Sequence, residues 1–219
     1  MTDTKICGIK TSEALEAAIS GGARWIGLVL YEKSPRNMPL ETAAALADQA
    51  RGRAAIVVLL VDPSNDRLAE VVRDVEPQFI QLHGQESPDR VAEIRRTYGT
   101  RIIKAVGVHN ETDVRNALAY YKPGAIADLI LFDAKPPQNA ERTGGHGVAF
   151  DWQILSAVPV GMPYLLAGGL TPDNVREAVL MTGAPAVDVS SGVETAPGEK
   201  STELIGGFLQ AVKTAMETL

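Results

Sequence analysis

Lys5-Ile6-Cys7-Gly8-Ile9-Lys10-Thr11-Ser12-Glu13-Ala14 reads as a short strand that breaks at a glycine into a loop and then enters a helix, with Thr11 and Ser12 placed to cap its first turn. The same unit recurs to the end of the chain. Further strands are predicted at 24–30, 54–61, 78–83, 101–107, 128–133, 163–167 and 186–189, after a first at 4–8. They are short and mostly apolar on both sides, the pattern of parallel strands covered on both faces. Helical periodicity lies between them. It follows Pro39-Leu40-Glu41, where proline suits a first turn, and runs over 64–75, 88–97, 111–120, 172–182 and 202–218. After the sixth strand the helix is delayed: 134–151 is rich in Gly and Pro, and only a short turn fits at 152–156. Eight strand–helix units of about 27 residues each point to an α/β chain folded as a single (β/α)8 TIM barrel domain over 1–219. A doubly wound open sheet is the alternative, and the eightfold alternation argues against it.

Composition narrows the class of function. The 219 residues are 45% hydrophobic and 22% charged, with a net charge of −6. No stretch gathers Lys and Arg into a nucleic-acid footprint. An anionic substrate would need local donors such as helix N-termini, glycine-rich amides and a few basic side chains. No apolar run is long enough for a transmembrane helix, and Met1-Thr2-Asp3-Thr4-Lys5 has no apolar core of a signal peptide. A single cysteine excludes an internal disulfide and a thiolate-rich metal site, and a free thiol fits a reducing cytoplasm.

Four features could carry chemistry. Cys7 ends the first strand. An ordinary thiol has a pKa near ~8.5, so ionising it at pH 7 costs about 2 kcal/mol, which a nearby cation could supply. Strand alternation puts Lys5 on the same side as Cys7, without saying which side faces inward. The competing reading of Cys7 is a small buried hydrophobe. Asp133 closes Leu129-Ile130-Leu131-Phe132-Asp133, and a carboxyl in an apolar collar suits a general acid; a loop cap is the alternative. Gly168-Gly169 after strand seven and Ser190-Ser191-Gly192 after strand eight form consecutive phosphate-type turns, at the usual phosphate position of such barrels. Arg36 lies in the long strand-two loop, 31–38, where it is either a clamp for a carboxylate or a solvated charge. That loop and the one from Ala134 to Asp151 are candidate lids. His83 ends strand four, as a pocket wall for ring stacking or a structural histidine. His109 and His146 sit in loops, and no metal-ligand spacing is present.

Taken together, these strings resemble the phosphoribosylanthranilate isomerase family. The matching pieces are Lys5-Ile6-Cys7-Gly8-Ile9, Ser34-Pro35-Arg36, Gln81-Leu82-His83-Gly84, Leu131-Phe132-Asp133, Gly144-Gly145-His146-Gly147 with Phe150-Asp151-Trp152, Gly168-Gly169-Leu170, and Val187-Asp188-Val189-Ser190-Ser191-Gly192-Val193-Glu194. They span nearly the whole chain in the family's order. The resemblance implies a (β/α)8 barrel that performs an Amadori rearrangement of N-(5-phosphoribosyl)anthranilate without metal or organic cofactor. It implies Asp133 as general acid, Cys7 as the base, and Arg36 as the holder of the anthranilate carboxylate. Gly168, Gly169, Ser190 and Ser191, helped by Gly145, would bind phosphate. Asp188 would contact a sugar hydroxyl or organise the site. The expected partner is this small phosphosugar–anthranilate molecule, with the chain a monomer or homodimer. The chain departs from the family at His146, where Ser or Thr is usual, and at Val148 and Ala149. The rivals are another phosphosugar barrel enzyme and a non-catalytic phosphate-binding barrel.

Overall fold

The computed structural model describes residues 2–121, 126–134 and 150–217. Strands β1 (Asp3–Cys7), β2 (Trp25–Val29), β3 (Ala55–Leu60), β4 (Phe79–Leu82), β5 (Arg101–Val108), β6 (Leu129–Ala134), β7 (Tyr164–Leu166) and β8 (Ala186–Val189) are parallel and pair in chain order. The barrel closes where β1 meets β8, with Thr4 opposite Val187 and Lys5 opposite Asp188. The eight predicted strands are all present, and the open-sheet alternative fails at that seam.

The twofold period of a strand sorts side chains between two cores. Ile6, Ile26, Val58, Ile80, Ile102, Ile130, Leu166 and Val187 face outward and pack beneath the helices. Their neighbours Trp25, Val57, Phe79, Ile103, Leu131, Leu165 and Ala186 fill the barrel interior. Above that layer lie Cys7, Val29 and Leu59. Lys5, Gln81 and Asp188 are also buried at interior positions, so polar groups replace hydrocarbon toward the C-terminal ends of the strands.

The helices are α1 (Ser12–Ser20), α2 (Leu40–Ala50), α3 (Asn65–Val75), α4 (Pro88–Tyr98), α5 (Glu111–Ala117), α6 (Val175–Thr182) and α7 (Thr202–Met216). Their starts follow from hydroxyl and amide side chains that accept from otherwise unpaired first-turn amides. Thr11, Ser64, Ser87 and Ser201 each cap a helix in this way, and Asn110 with Asp113 forms a capping box. The outer layer closes where α7 packs against both α1 and α6.

Three features depart from the sequence reading. The fifth helix tightens to a 3-10 turn at Leu118–Tyr120. The helix expected from 172 starts at Val175, because the Asn174 side chain caps the preceding loop: its Oδ1 accepts from Thr171 N and its Nδ2 donates to Gly169 O. The third is an antiparallel hairpin between β8 and α7, made of β9 (Glu194–Ala196) and β10 (Glu199–Lys200). Between β6 and β7 a 3-10 turn, Trp152–Ala157, stands in place of a helix, as the short predicted turn requires.

Candidate active site

Cys7 is the last residue of β1, and its thiol is buried. Space for it comes from Gly27 on the neighbouring strand. A Cβ at Gly27 would lie 2.9 Å from Cys7 Sγ and 3.0 Å from Lys5 Nζ, so thiol and ammonium share the gap left by the missing side chain. Lys5 therefore faces inward, which alternation alone left open. Its Nζ donates to Asp188 Oδ1 at 2.8 Å. Burial by itself would lower the Lys5 ammonium, but Asp188 and Cys7 outweigh it and the net shift is upward.

The Cys7 thiol does not follow the expectation of a group ionised by nearby cations. Burial pushes it up, Lys5 pulls it back, Asp188 adds to the rise and Lys200 opposes it; the net result lies above the ordinary thiol value. Desolvation of the anion wins because the group is enclosed and the nearest cation is itself neutralised by Asp188.

Asp133, one residue before the end of β6, is 8% exposed. Its Oδ1 accepts from Ala134 N at 2.8 Å, and its Oδ2 lies 3.5 Å from His83 Nε2. His83 Nδ1 lies 3.0 Å from Gln81 Nε2. The imidazole thus bridges Gln81 and the Asp133 carboxylate. Gly168 abuts the same carboxylate from the β7 loop. Its φ is +85°, and a Cβ there would meet Ala134 N at 2.5 Å and Asp133 Oδ1 at 3.1 Å. One glycine thus makes room for the carboxylate and forms the turn.

Arg36 is 6% exposed, which corrects the reading of a solvated charge. Nε donates to Glu194 Oε1 at 2.7 Å and Nη2 to Oε2 at 2.9 Å. Its loop is pinned by Ser34 N to Tyr31 O, Asn37 N to Ser34 O and Arg36 N to Ser34 Oγ. Of the phosphate-type segments, Gly168 and Gly169 both have positive φ. Ser190 donates from Oγ to Cys7 O at 3.1 Å, and Ser191 opens a 3-10 turn, Ser191–Val193. Gly145 and His146 lie outside the described residues.

A model of the family described as N-(5'phosphoribosyl)anthranilate (PRA) isomerase matches residues 4–211. The chain belongs to this isomerase family. An N-(5'-phosphoribosyl)anthranilate isomerase from Rhodopseudomonas palustris is 49% identical over 215 residues, 98% of this chain and 97% of that protein. The crystal structure of phosphoribosyl anthranilate isomerase from Thermotoga maritima superposes with a TM-score of 0.86 at 34% identity, covering 98% of this chain and 100% of that one. A crystal structure of a phosphoribosyl anthranilate isomerase in complex with reduced 1-(o-carboxyphenylamino)-1-deoxyribulose 5-phosphate has a TM-score of 0.81 at 32% identity, with 98% and 100% covered.

Sequence reasoning assigned no role to two buried groups of this isomerase-family site, Glu194 and Lys200. Glu194 was visible only as the end of a matching string. The signal that could have found both is Pro197-Gly198 between them, a turn dipeptide that folds Lys200 back onto Glu194.

Proposed function

We propose that this isomerase-family chain converts N-(5-phosphoribosyl)anthranilate to 1-(2-carboxyphenylamino)-1-deoxyribulose 5-phosphate in tryptophan biosynthesis, by general acid–base catalysis. One observation carries the assignment of residues: Cys7, Asp133 and Arg36, from three distant segments, stand at the C-terminal end of the barrel, where such folds keep their chemistry. Asp133 protonates the furanose ring oxygen, and the C1′–O bond breaks to leave an iminium. The Cys7 thiolate removes the C2′ proton, giving an enolamine that tautomerises to the ketone. Positive charge on the iminium acidifies that proton and favours the nearby thiolate. His83, between Gln81 and Asp133, orients the acid and lines the pocket.

Arg36 holds the anthranilate carboxylate. Glu194 occupies the Nε–Nη2 side of the guanidinium, and the end-on edge of Nη1 and Nη2 is the side suited to a second carboxylate. Gly168, Gly169, Ser190 and Ser191, with Gly145, take the phosphate through backbone amides and hydroxyls. Asp188 acts through Lys5 to organise the thiol. We further infer a cytoplasmic enzyme of one domain, monomeric or homodimeric. Among the described residues no helix is long and apolar enough to cross a membrane.

The test is direct. Phosphoribosylanthranilate is generated in situ, and loss of its anthranilate fluorescence is followed on adding the protein. No acceleration over the uncatalysed rate overturns the reading. Cys7→Ala and Asp133→Asn should each lose about 10²–10⁴-fold in kcat. Near-normal turnover by Cys7→Ala would remove Cys7 as the base.

A further inference from the structure

The hairpin of β9 and β10 enters the chemistry above only through Glu194, yet its last residue also reaches the rim. The Lys200 side chain is 2% exposed. Its Nζ donates to Glu194 Oε1 at 2.6 Å, to Ser190 O at 2.9 Å and to Ser190 Oγ at 3.4 Å. Neither partner is Lys200's alone. Glu194 also receives Arg36 Nε at 2.7 Å, Arg36 Nη2 at 2.9 Å and Gly198 N at 3.2 Å. Ser190 Oγ donates onward to Cys7 O at 3.1 Å. A continuous path of hydrogen bonds therefore runs from the Arg36 guanidinium through Glu194, Lys200 and Ser190 to the backbone of Cys7. An ion pair serving only to close the hairpin would need Glu194 and nothing beyond it.

We propose that Lys200 is a positioning residue of the isomerase site: one buried ammonium holds Glu194 against Arg36 and Ser190 against Cys7, and so sets the carboxylate clamp and the strand end that carries the thiol together. The proposal rests on the isomerase reading given above. The charged groups around the thiol are Lys5 from β1, Asp188 from β8 and Lys200 from β10. Lys5 is already paired with Asp188, whereas Lys200 shares its carboxylate with Arg36, so positive charge exceeds negative on the hairpin side. Removing Lys200 takes away a cation that opposes the effect of burial on Cys7.

Lys200→Gln and Lys200→Met, in the full chain, separate this role from simple bracing. The glutamine keeps a hydrogen-bond donor and the methionine keeps the packing of the stem, so either folded variant serves. Cys7 is the sole cysteine, so absorbance near 240 nm against pH, less that of Cys7→Ser to remove the contribution of the five tyrosines, reports on its thiolate. We expect the ionisation midpoint to rise by about half a pH unit or more as the cation is lost. We expect KM to rise about tenfold as Arg36 loses its orientation, with Lys200→Arg restoring the midpoint to near that of the unaltered protein. A lower melting temperature with unchanged midpoint and unchanged KM would overturn the proposal and leave a structural strut. The thiol titration needs no substrate. Absence of isomerase activity in the unaltered protein would therefore count against the isomerase reading, and an unmoved midpoint against Lys200.

Discussion

Lys5 Nζ lies 2.8 Å from Asp188 Oδ1 across the seam that closes the barrel, and the same ammonium shares the space beside Gly27 with Cys7 Sγ. A buried lysine is tolerated because its charge is matched by a buried carboxylate. The thiol gains a cationic neighbour whose charge is already largely balanced. This arrangement orients the sulfur more than it ionises it.

The sign of the pH dependence follows. The base proposed above must be deprotonated, and the Cys7 thiol is pushed up by burial more than Lys5 and Lys200 pull it down. Its reactive form is therefore a minority at neutral pH, and the rate at which iodoacetamide alkylates this sole cysteine should climb with pH, by about tenfold per unit well below the midpoint. Mass spectrometry of protein alkylated between about pH 6.5 and 9.5 provides the check. A flat profile over that range would exclude a thiol base with a raised midpoint.

Gly27→Ala should damage the site from the neighbouring strand. The new methyl would crowd Cys7 Cα and Sγ at 2.9 Å and Lys5 Nζ at 3.0 Å, and the Cα cannot yield without moving β1. We expect about 1–3 kcal/mol lost in urea unfolding, with a larger proportional loss in kcat than that destabilisation would suggest. Unchanged kinetics would show that the thiol and ammonium have room the geometry does not indicate.

Glu194 supplies an acid-stability test. Burial alone would raise its carboxyl, but Arg36 and Lys200 outweigh it and the net shift is downward. A folded value below the unfolded one means that its contribution is complete above the unfolded value, about 4.3, and is lost as pH falls from there through the folded value. Glu194→Gln should lower stability at neutral pH and flatten the acid limb of the urea midpoint against pH. Parallel acid limbs in the two proteins would contradict the shift.

A further buried pair supports the loop that carries His83. Lys104 Nζ donates to Glu86 Oε2 at 2.7 Å and to Gly84 O at 2.8 Å, while Glu86 Oε1 accepts from Asp62 N at 2.9 Å and from Gly84 N at 3.1 Å. Lys104→Met leaves that carboxylate buried without its cation, which should cost about 3–5 kcal/mol. Denaturant unfolding measures the loss. Exchanging Glu86 for Gln in the same chain should recover part of it, and no recovery would argue against charge as the cause.

Much of this molecule is legible along the chain. Alternating apolar runs and caps such as Thr11 and Ser64 are local, so the order of strands and helices follows from neighbouring residues. The period of two places Lys5 with Cys7, and it places Leu131 with Asp133, because successive side chains on a strand point to opposite faces. Local pattern also marks Gly168-Gly169 and Ser190-Ser191 as turns beyond strand ends. It cannot mark Glu194 as the partner of Arg36, since the two are 158 residues apart and each alone reads as a surface charge. The absolute facing of Lys5 was likewise undetermined until β8 met β1 and brought Asp188 beside it. The sequence alone determined which groups share a side and which end of a strand they occupy. Barrel closure decided which side is the inside, and burial at that closed rim, rather than the nearness of a cation, decided the state of the thiol.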